Sequence, residues 1–287
     1  MDNKELRALI NLLDDPDEEI FRAVSENILK QGELAIPELE KAWESTLDEE
    51  YQARLENIIQ EINVSSVREG LNGWINSGAE NLLEGAFHIA RYQYPELSLN
   101  SLQKQLDSIR QDIWLELNPN LTALEKVRII NHFIYDVHKF SGNSTNFYSP
   151  QNSYINQVLE TKKGNPISLS ILYSSIARML DIPIRGVNLP KNYILAYVDE
   201  FSPNDTILFY INPFNRGAVL GRREIDYFLQ QQSIEPRDVF YKPCSHVDTI
   251  ERLIMNLVNA YEKLGYHDKL KDFQVLYELI RKSRENG

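Results

Sequence analysis

The chain has 287 residues, 42 Asp+Glu against 30 Lys+Arg, a formal net charge of −12 and a single cysteine, Cys244. The surplus is local, because residues 1–65 hold 17 acidic and 6 basic residues, a balance of −11, which leaves −1 for the other 222. With no basic stripe, nucleic acid and an anionic membrane surface are poor partners, and one cysteine excludes an internal disulfide framework and a cysteine-rich metal site. No basic-then-apolar leader and no apolar run of about 18 residues occurs, so the expected location is the cytoplasm.

The first quarter predicts four helices. Leu6, Leu9, Ile10 and Leu13 recur at helical spacing. Asp15 as N-cap and Pro16 at the first helical position predict a second helix, carrying Ile20, Val24, Ile28 and Leu29 to a stop at Gly32. Pro37 opens a third helix to about Leu47, and Asp48 a fourth through Ile62. Asp17-Glu18-Glu19 returns as Asp48-Glu49-Glu50, and Glu26-Asn27-Ile28-Leu29 as Glu56-Asn57-Ile58-Ile59. Such an offset with helix-turn-helix content marks an α-solenoid, and residues 1–63 resemble a pair of HEAT repeats of short period. Their acidic side chains cap helices and cover solvent faces; the sharper alternative is a docking face for a basic partner.

Helical patterning continues over about 65–76, 79–93 and 99–117, the last with Leu102, Leu106, Ile109 and Ile113 on one face. Thr122 to Glu125 form a capping box for a helix with Val127, Ile130, Ile134 and Val137 inward. Residues 141–153 read as a loop, 153–161 as a short helix, and Pro166 to Leu180 as a longer one. β-branched and aromatic runs at 184–188, 193–198 and 206–211 predict an antiparallel sheet. Helix returns at 222–231, and two amphipathic helices joined at Gly265 fill 246–283. Helices followed by strands argue for an α+β class, mainly helical. The predicted division is 1–63, 64–242 and 243–287.

One stretch carries a more specific signal. Ala90-Arg91 and Tyr94-Pro95, then Phe147 to Asn156, Val158 to Glu160, Gly164 to Ser170, Gly186 to Pro190 and Asn212-Pro213-Phe214 follow one another at characteristic intervals. From about His88 to Phe228 the chain resembles the SirB family of transglutaminase-like proteins, a branch of the papain-like cysteine-enzyme superfamily. The C-terminal hairpin resembles the TPR-like helices with which family members commonly end. The resemblance implies a Cys at a helix start, a His on an adjacent strand and an Asp on the next, with no cofactor and no metal.

The matching positions hold other residues. Counting back from Ile182-Pro183-Ile184-Arg185 places Pro166 where the Cys belongs, Asn192 stands at the His position and Asn212 at the Asp position. Proline is inert, and an amide neither titrates near neutrality nor stabilises an imidazolium by charge. Ser168 and Ser170 lack a base, since the expected base position is Asn192. Cys244 lies outside the motif, with His246 two residues on, and reads as an incidental thiol. His132 and His138 are six apart, not the four of a helical two-histidine metal site, and His88 and His267 stand alone. Tyr148, Tyr154, Tyr193, Tyr197 and Tyr210 read as core or groove lining, and Gly217 to Gly221 lacks the lysine of a phosphate loop.

The expected function is therefore a non-catalytic transglutaminase-like protein that binds protein or peptide in a polar groove of Asn152, Asn165, Ser168, Ser170 and Tyr193. Asn152 and Asn156 are expected to pin the central loop. The alternatives are a hydrolase or transferase on amide substrates with a rewired site, and a scaffold whose helical ends bind. A basic partner would dock on residues 1–63.

Overall fold

The structure, a computed structural model, describes residues 3–199, 202 and 206–285. It contains two compact units, Met1–Gly73 with Arg91–Pro95, and Trp74–Ala90 with Glu96–Gly287.

The first unit holds α1 (Asn3–Asn11), α2 (Glu18–Leu29), α3 (Ile36–Ser45) and most of α4 (Glu49–Asn76). Its core gathers Leu6, Ile10 and Leu13 with Val24, Ile28, Ile36, Leu39, Tyr51, Leu55, Ile58 and Ile62. The α4 members recur every three or four residues, so a single stripe of that helix enters the core. Arg54 closes the end of the first helix pair by donating Nη1 to the carbonyls of Leu13 (2.9 Å) and Asp15 (2.8 Å).

Three boundaries differ from expectation. The N-cap of α2 is Asp17, whose Oδ1 accepts from Glu19 N at 2.8 Å, while Asp15 accepts from Asp17 N at 2.9 Å. Two overlapping acidic turns compete for that start, and the second lies nearest the buried stripe. Helix α2 ends at Leu29, before the 3-10 turn Gly32–Ala35. Helix α4 does not break near residue 63. Val64-Ser65-Ser66 are weak helix formers, but Val67, Leu71 and Trp74 are buried beyond them, and burial overrides propensity.

The second unit surrounds α9 (Pro166–Met179), in which every residue from Ile167 to Ala177 is buried. A helix buried all round shows no amphipathic stripe, and its serines need internal acceptors. Ser170 Oγ donates to Pro166 O and Ser174 Oγ to Ser170 O, both at 2.7 Å. Against α9 pack α6 (Leu99–Trp114), α8 (Ile155–Thr161) and α11 (His246–Leu264), together with strands β3 (Ile184–Val187) and β4 (Ile194–Asp199). The antiparallel sheet runs β3-β4-β5-β6, with β5 at Thr206–Asn212 and β6 at Ala218–Leu220. Ile194, Ala196 and Val198 of β4 face a cluster with Ile225 and Leu229 of α10 (Arg222–Gln231). Leu195 and Tyr197 are buried on the alternate face, which explains why β4 reads as a continuous apolar run.

Strand β6 was not foreseen. The chain reverses through the 3-10 turn Pro213–Asn215, then Arg216 at φ +50° and Gly217 at φ +69°. A Cβ on Gly217 would stand 2.0 Å from Asn131 Oδ1, so glycine is required there by both conformation and space. The loop before α8 contains a two-residue strand β1 (Ser141–Gly142), which pairs in parallel with β2 (Lys163–Gly164). The capping box of α7 (Ala123–Asn131) forms as expected, but residues 132–137 widen into a π-helical turn and leave Val137 exposed. Helices α11 and α12 (His267–Glu285) form the C-terminal hairpin, with Gly265 at φ +73° between them.

Candidate functional site

The start of α9 is tied down by a closed set of side-chain bonds. Asn165 Oδ1 accepts from Ser168 N at 2.9 Å, and Asn165 N donates to Ser168 Oγ at 3.0 Å. This reciprocal cap satisfies two donors that a helix start leaves open. Asn165 Nδ2 donates to Ser153 Oγ at 2.8 Å, and Ser168 Oγ donates to Asn152 O at 2.6 Å. Asn152 in turn donates Nδ2 to the carbonyls of Asn146 (2.7 Å) and Phe147 (3.1 Å) and accepts from Asn143 Nδ2 at 2.8 Å. The central loop is thus stitched to the helix through Asn152. Asn156 does no such work, since its buried Oδ1 has no hydrogen-bond partner.

Beside this cap lies a cavity of about 150 Å³, bordered by Asn165, Pro166 and Ile167 of the α9 start, Lys191, Asn192 and Tyr193 ahead of β4, Phe147 and Tyr148 of the loop, and Arg252, Asn256 and Asn259 of α11. Of the residues singled out in sequence, Pro166, Asn192, Asn165 and Tyr193 therefore meet here. Asn152, Ser168 and Ser170 do not line it; all three are buried, and the two serine hydroxyls donate to Asn152 O and Pro166 O. Asn212 does not line it either. It closes the β5 end, with Oδ1 accepting from Asn215 N at 3.2 Å. Antiparallel pairing sets the β5 end beside the β4 start, and α9 packs on β4 and on the turn after Asn212.

Tyr193 turns its hydroxyl away from solvent. Its Oη lies 2.7 Å from Thr249 Oγ1 and 3.3 Å from Cys244 Sγ, and burial pushes its pKa well above the ordinary value. Burial likewise raises the Cys244 thiol, partly opposed by its hydrogen bonds to Tyr193 and Thr249. His246 has a different partner. The imidazole donates Nδ1–H to Ala79 O at 2.9 Å, and burial lowers its pKa. No thiol, imidazole or carboxylate borders the cavity among the described residues, and no group of three His, Cys, Asp or Glu side chains there is placed to hold a metal ion.

Arg252, Asn256 and Asn259 were missed. They were legible as polar residues at i, i+4 and i+7 along an amphipathic helix, but nothing local ties that stripe to a turn 60 residues upstream. A larger hollow of about 830 Å³ also escaped notice. It is bordered by Leu82 and Leu83 of α5 (Leu82–Arg91), Lys104 and Asp107 of α6, the α9 end and β3.

A buried helix packed on a small antiparallel sheet, with Pro166 and Asn192 on one cavity, agrees with the mainly helical α+β architecture that the resemblance implies. A profile of the transglutaminase-like superfamily matches residues 100–255, and the chain belongs to that superfamily. It is 30% identical over 229 residues to F-box only protein 21 of Homo sapiens, covering 71% of this chain but only 35% of that protein. It is 29% identical over 194 residues to a UPF0162 protein of Xylella fastidiosa (66% of this chain, 67% of that one). With a UPF0162 protein of Pseudomonas aeruginosa it shares 27% over 199 residues, covering 69% and 72%. No solved structure matches the chain. No helix among the described residues is long and apolar enough to cross a membrane.

Proposed function

We propose that this chain is a catalytically silent, SirB-type transglutaminase-like protein that binds a protein or peptide at the cavity beside the start of α9. The observation that carries the reading is the lining of that cavity. Pro166 and Asn192 stand at two of the three triad positions, Asn212 at the third, and none of the three titrates near neutral pH. Without a nucleophile and base the amides serve to hydrogen-bond a peptide backbone. On the same reading the first unit is a HEAT-like acidic module suited to a basic partner, α11 and α12 are a TPR-like hairpin, and the protein works in the cytoplasm.

The test has two arms. Glutamine-containing peptides, incubated with the full chain and an amine or water as acceptor, are expected to show no turnover above buffer. A peptide library selected on the full chain is expected to yield binders that are lost when Asn192→Trp fills the cavity. Turnover abolished by Ser168→Ala would sink the silent reading and favour an enzyme with a rewired site. Binders indifferent to Asn192→Trp, but lost on reversing acidic charges within residues 1–63, would favour the scaffold.

A further inference from the structure

The cavity has a charge character of its own. Arg252 borders it half-buried, and its guanidinium makes no hydrogen bond or ion pair with any described residue. Arginine cannot shed its charge to escape desolvation, so a half-buried guanidinium without a counter-charge is a standing cost that an anion removes. Burial indeed pulls its pKa below the ordinary value.

The start of α9 forms one wall of the same space. Ile167 is fully buried and borders the cavity, and its backbone N–H has no acceptor among the described residues: the cap serves Ser168 N, and Leu169 N donates to Asn165 O. A buried N–H without a partner is rare and carries a desolvation penalty of roughly 1–3 kcal/mol. Lys191 adds a further cation at the rim, already turned toward Gln232 Oε1 at 3.3 Å. The remaining polar lining consists of Ser149, Ser153, Tyr148, Tyr193 and the amides of Asn165, Asn192, Asn256 and Asn259, with no Asp or Glu.

Resting on the binding role proposed above, we propose that this cavity takes the carboxylate at the end of a peptide chain, held by Arg252. A planar, singly charged group fits one unpaired guanidinium, which can grip both its oxygens. A doubly charged phosphate would be left under-neutralised, since the second cation is exposed and otherwise engaged. Phe147, 42% exposed, offers aromatic surface to the residue preceding the carboxylate, while the neighbouring Tyr148 ring already carries Lys263 Nζ at 3.1 Å.

The test is an NMR titration of the full chain at constant ionic strength with N-acetylglycine, N-acetylglycinamide, acetate and inorganic phosphate, following the Ile167 amide and the Arg252 Nε–H. N-acetylglycine is expected to shift both saturably, and its amide to bind at least tenfold more weakly. Arg252→Gln should remove that preference, with the shift then followed at Ile167, while Arg252→Lys keeps part of it. The two variants are compared only after their other amide signals prove unmoved. Equal binding of acid and amide overturns carboxylate recognition, as does phosphate shifting these signals while N-acetylglycine does not, or no shift at either atom. Acetate binding as tightly as N-acetylglycine overturns the peptide-end assignment in favour of a small free acid. These outcomes are separable from failure of the binding role, which is judged by whether library peptides lose their hold in Asn192→Trp.

Discussion

Replacing Asn165 by alanine isolates what holds the start of the central helix. Asn165 is 5% exposed and makes two side-chain bonds, accepting from Ser168 N and donating to Ser153 Oγ. Losing an N-cap costs about 1 kcal/mol. The Ser153 hydroxyl, itself buried, would lose a donor, and a buried polar group left without its partner adds about 1–2 kcal/mol. The sum is about 2–3 kcal/mol, which at about 1.4 kcal/mol per decade is roughly 30- to 150-fold. Hydrogen exchange by mass spectrometry on a peptide spanning Leu169 to Ala177 reads this directly, since those amides belong to the most buried helix and exchange only through its opening. Asn165→Asp is the control: the carboxylate still caps Ser168 N, and the Ser153 hydroxyl can rotate to donate to it. Exchange in Asn165→Asp should stay within about fivefold of wild type. If Asn165→Ala leaves exchange within about threefold, or if Asp is as damaging as Ala, then the cap is not what fixes this helix and the reasoning fails.

Three further outcomes follow from local geometry. A Cβ on Gly186 would lie 2.0 Å from Tyr193 Oη, so Gly186→Ala should displace that hydroxyl from Thr249 and cost at least the ~1–3 kcal/mol typical of overpacking, read as a lowered urea midpoint; an unchanged midpoint refutes the contact. Because burial raises the Cys244 thiol, a disulfide reagent at pH 8 should react with it much more slowly than with free cysteine and at full rate after unfolding, and Gly186→Ala should speed the native reaction. Hydrogen bonds from Arg7 and Lys41 hold Glu38 at a pKa of about 2. With the folded value depressed, its contribution to stability is present above the ordinary carboxylate range and is lost as pH falls toward 2. A carbon-detected titration of Glu38 should therefore show a midpoint near 2 that rises in Arg7→Ala, and a midpoint already in the ordinary range would contradict the ion pair.

Much of the architecture was legible because its signals are local. The capping box at Thr122, the helix opening at Pro166, the apolar spacing of α6 and the bounds of α10 depend on side chains within a few residues of one another. What was misjudged depends on distant partners. Helix α4 runs through Val64-Ser65-Ser66 because Val67 and Leu71 are buried farther on, and β6 exists because Gly217 sits against Asn131, 86 residues away. The groove residues divide by the same rule. Asn165 and Ser168 could be paired by spacing alone, but whether each faced a cavity or the core was settled by Ser153 and Asn152, which approach from another segment.

The amino-acid order by itself determined the α+β class, the superfamily signature and the identity of Pro166, Asn192 and Asn212, because these are properties of residue type and short-range spacing. Only the tertiary structure decided that Asn192 borders a cavity while Asn212 closes a strand, that Cys244 and His246 turn to different partners, and that Arg252 stands unpaired beside the start of α9. Those outcomes depend on which faces of α9, α11 and β4 are pressed together. Burial and hydrogen-bond satisfaction are decided by neighbours in space, and a linear spacing carries no record of them.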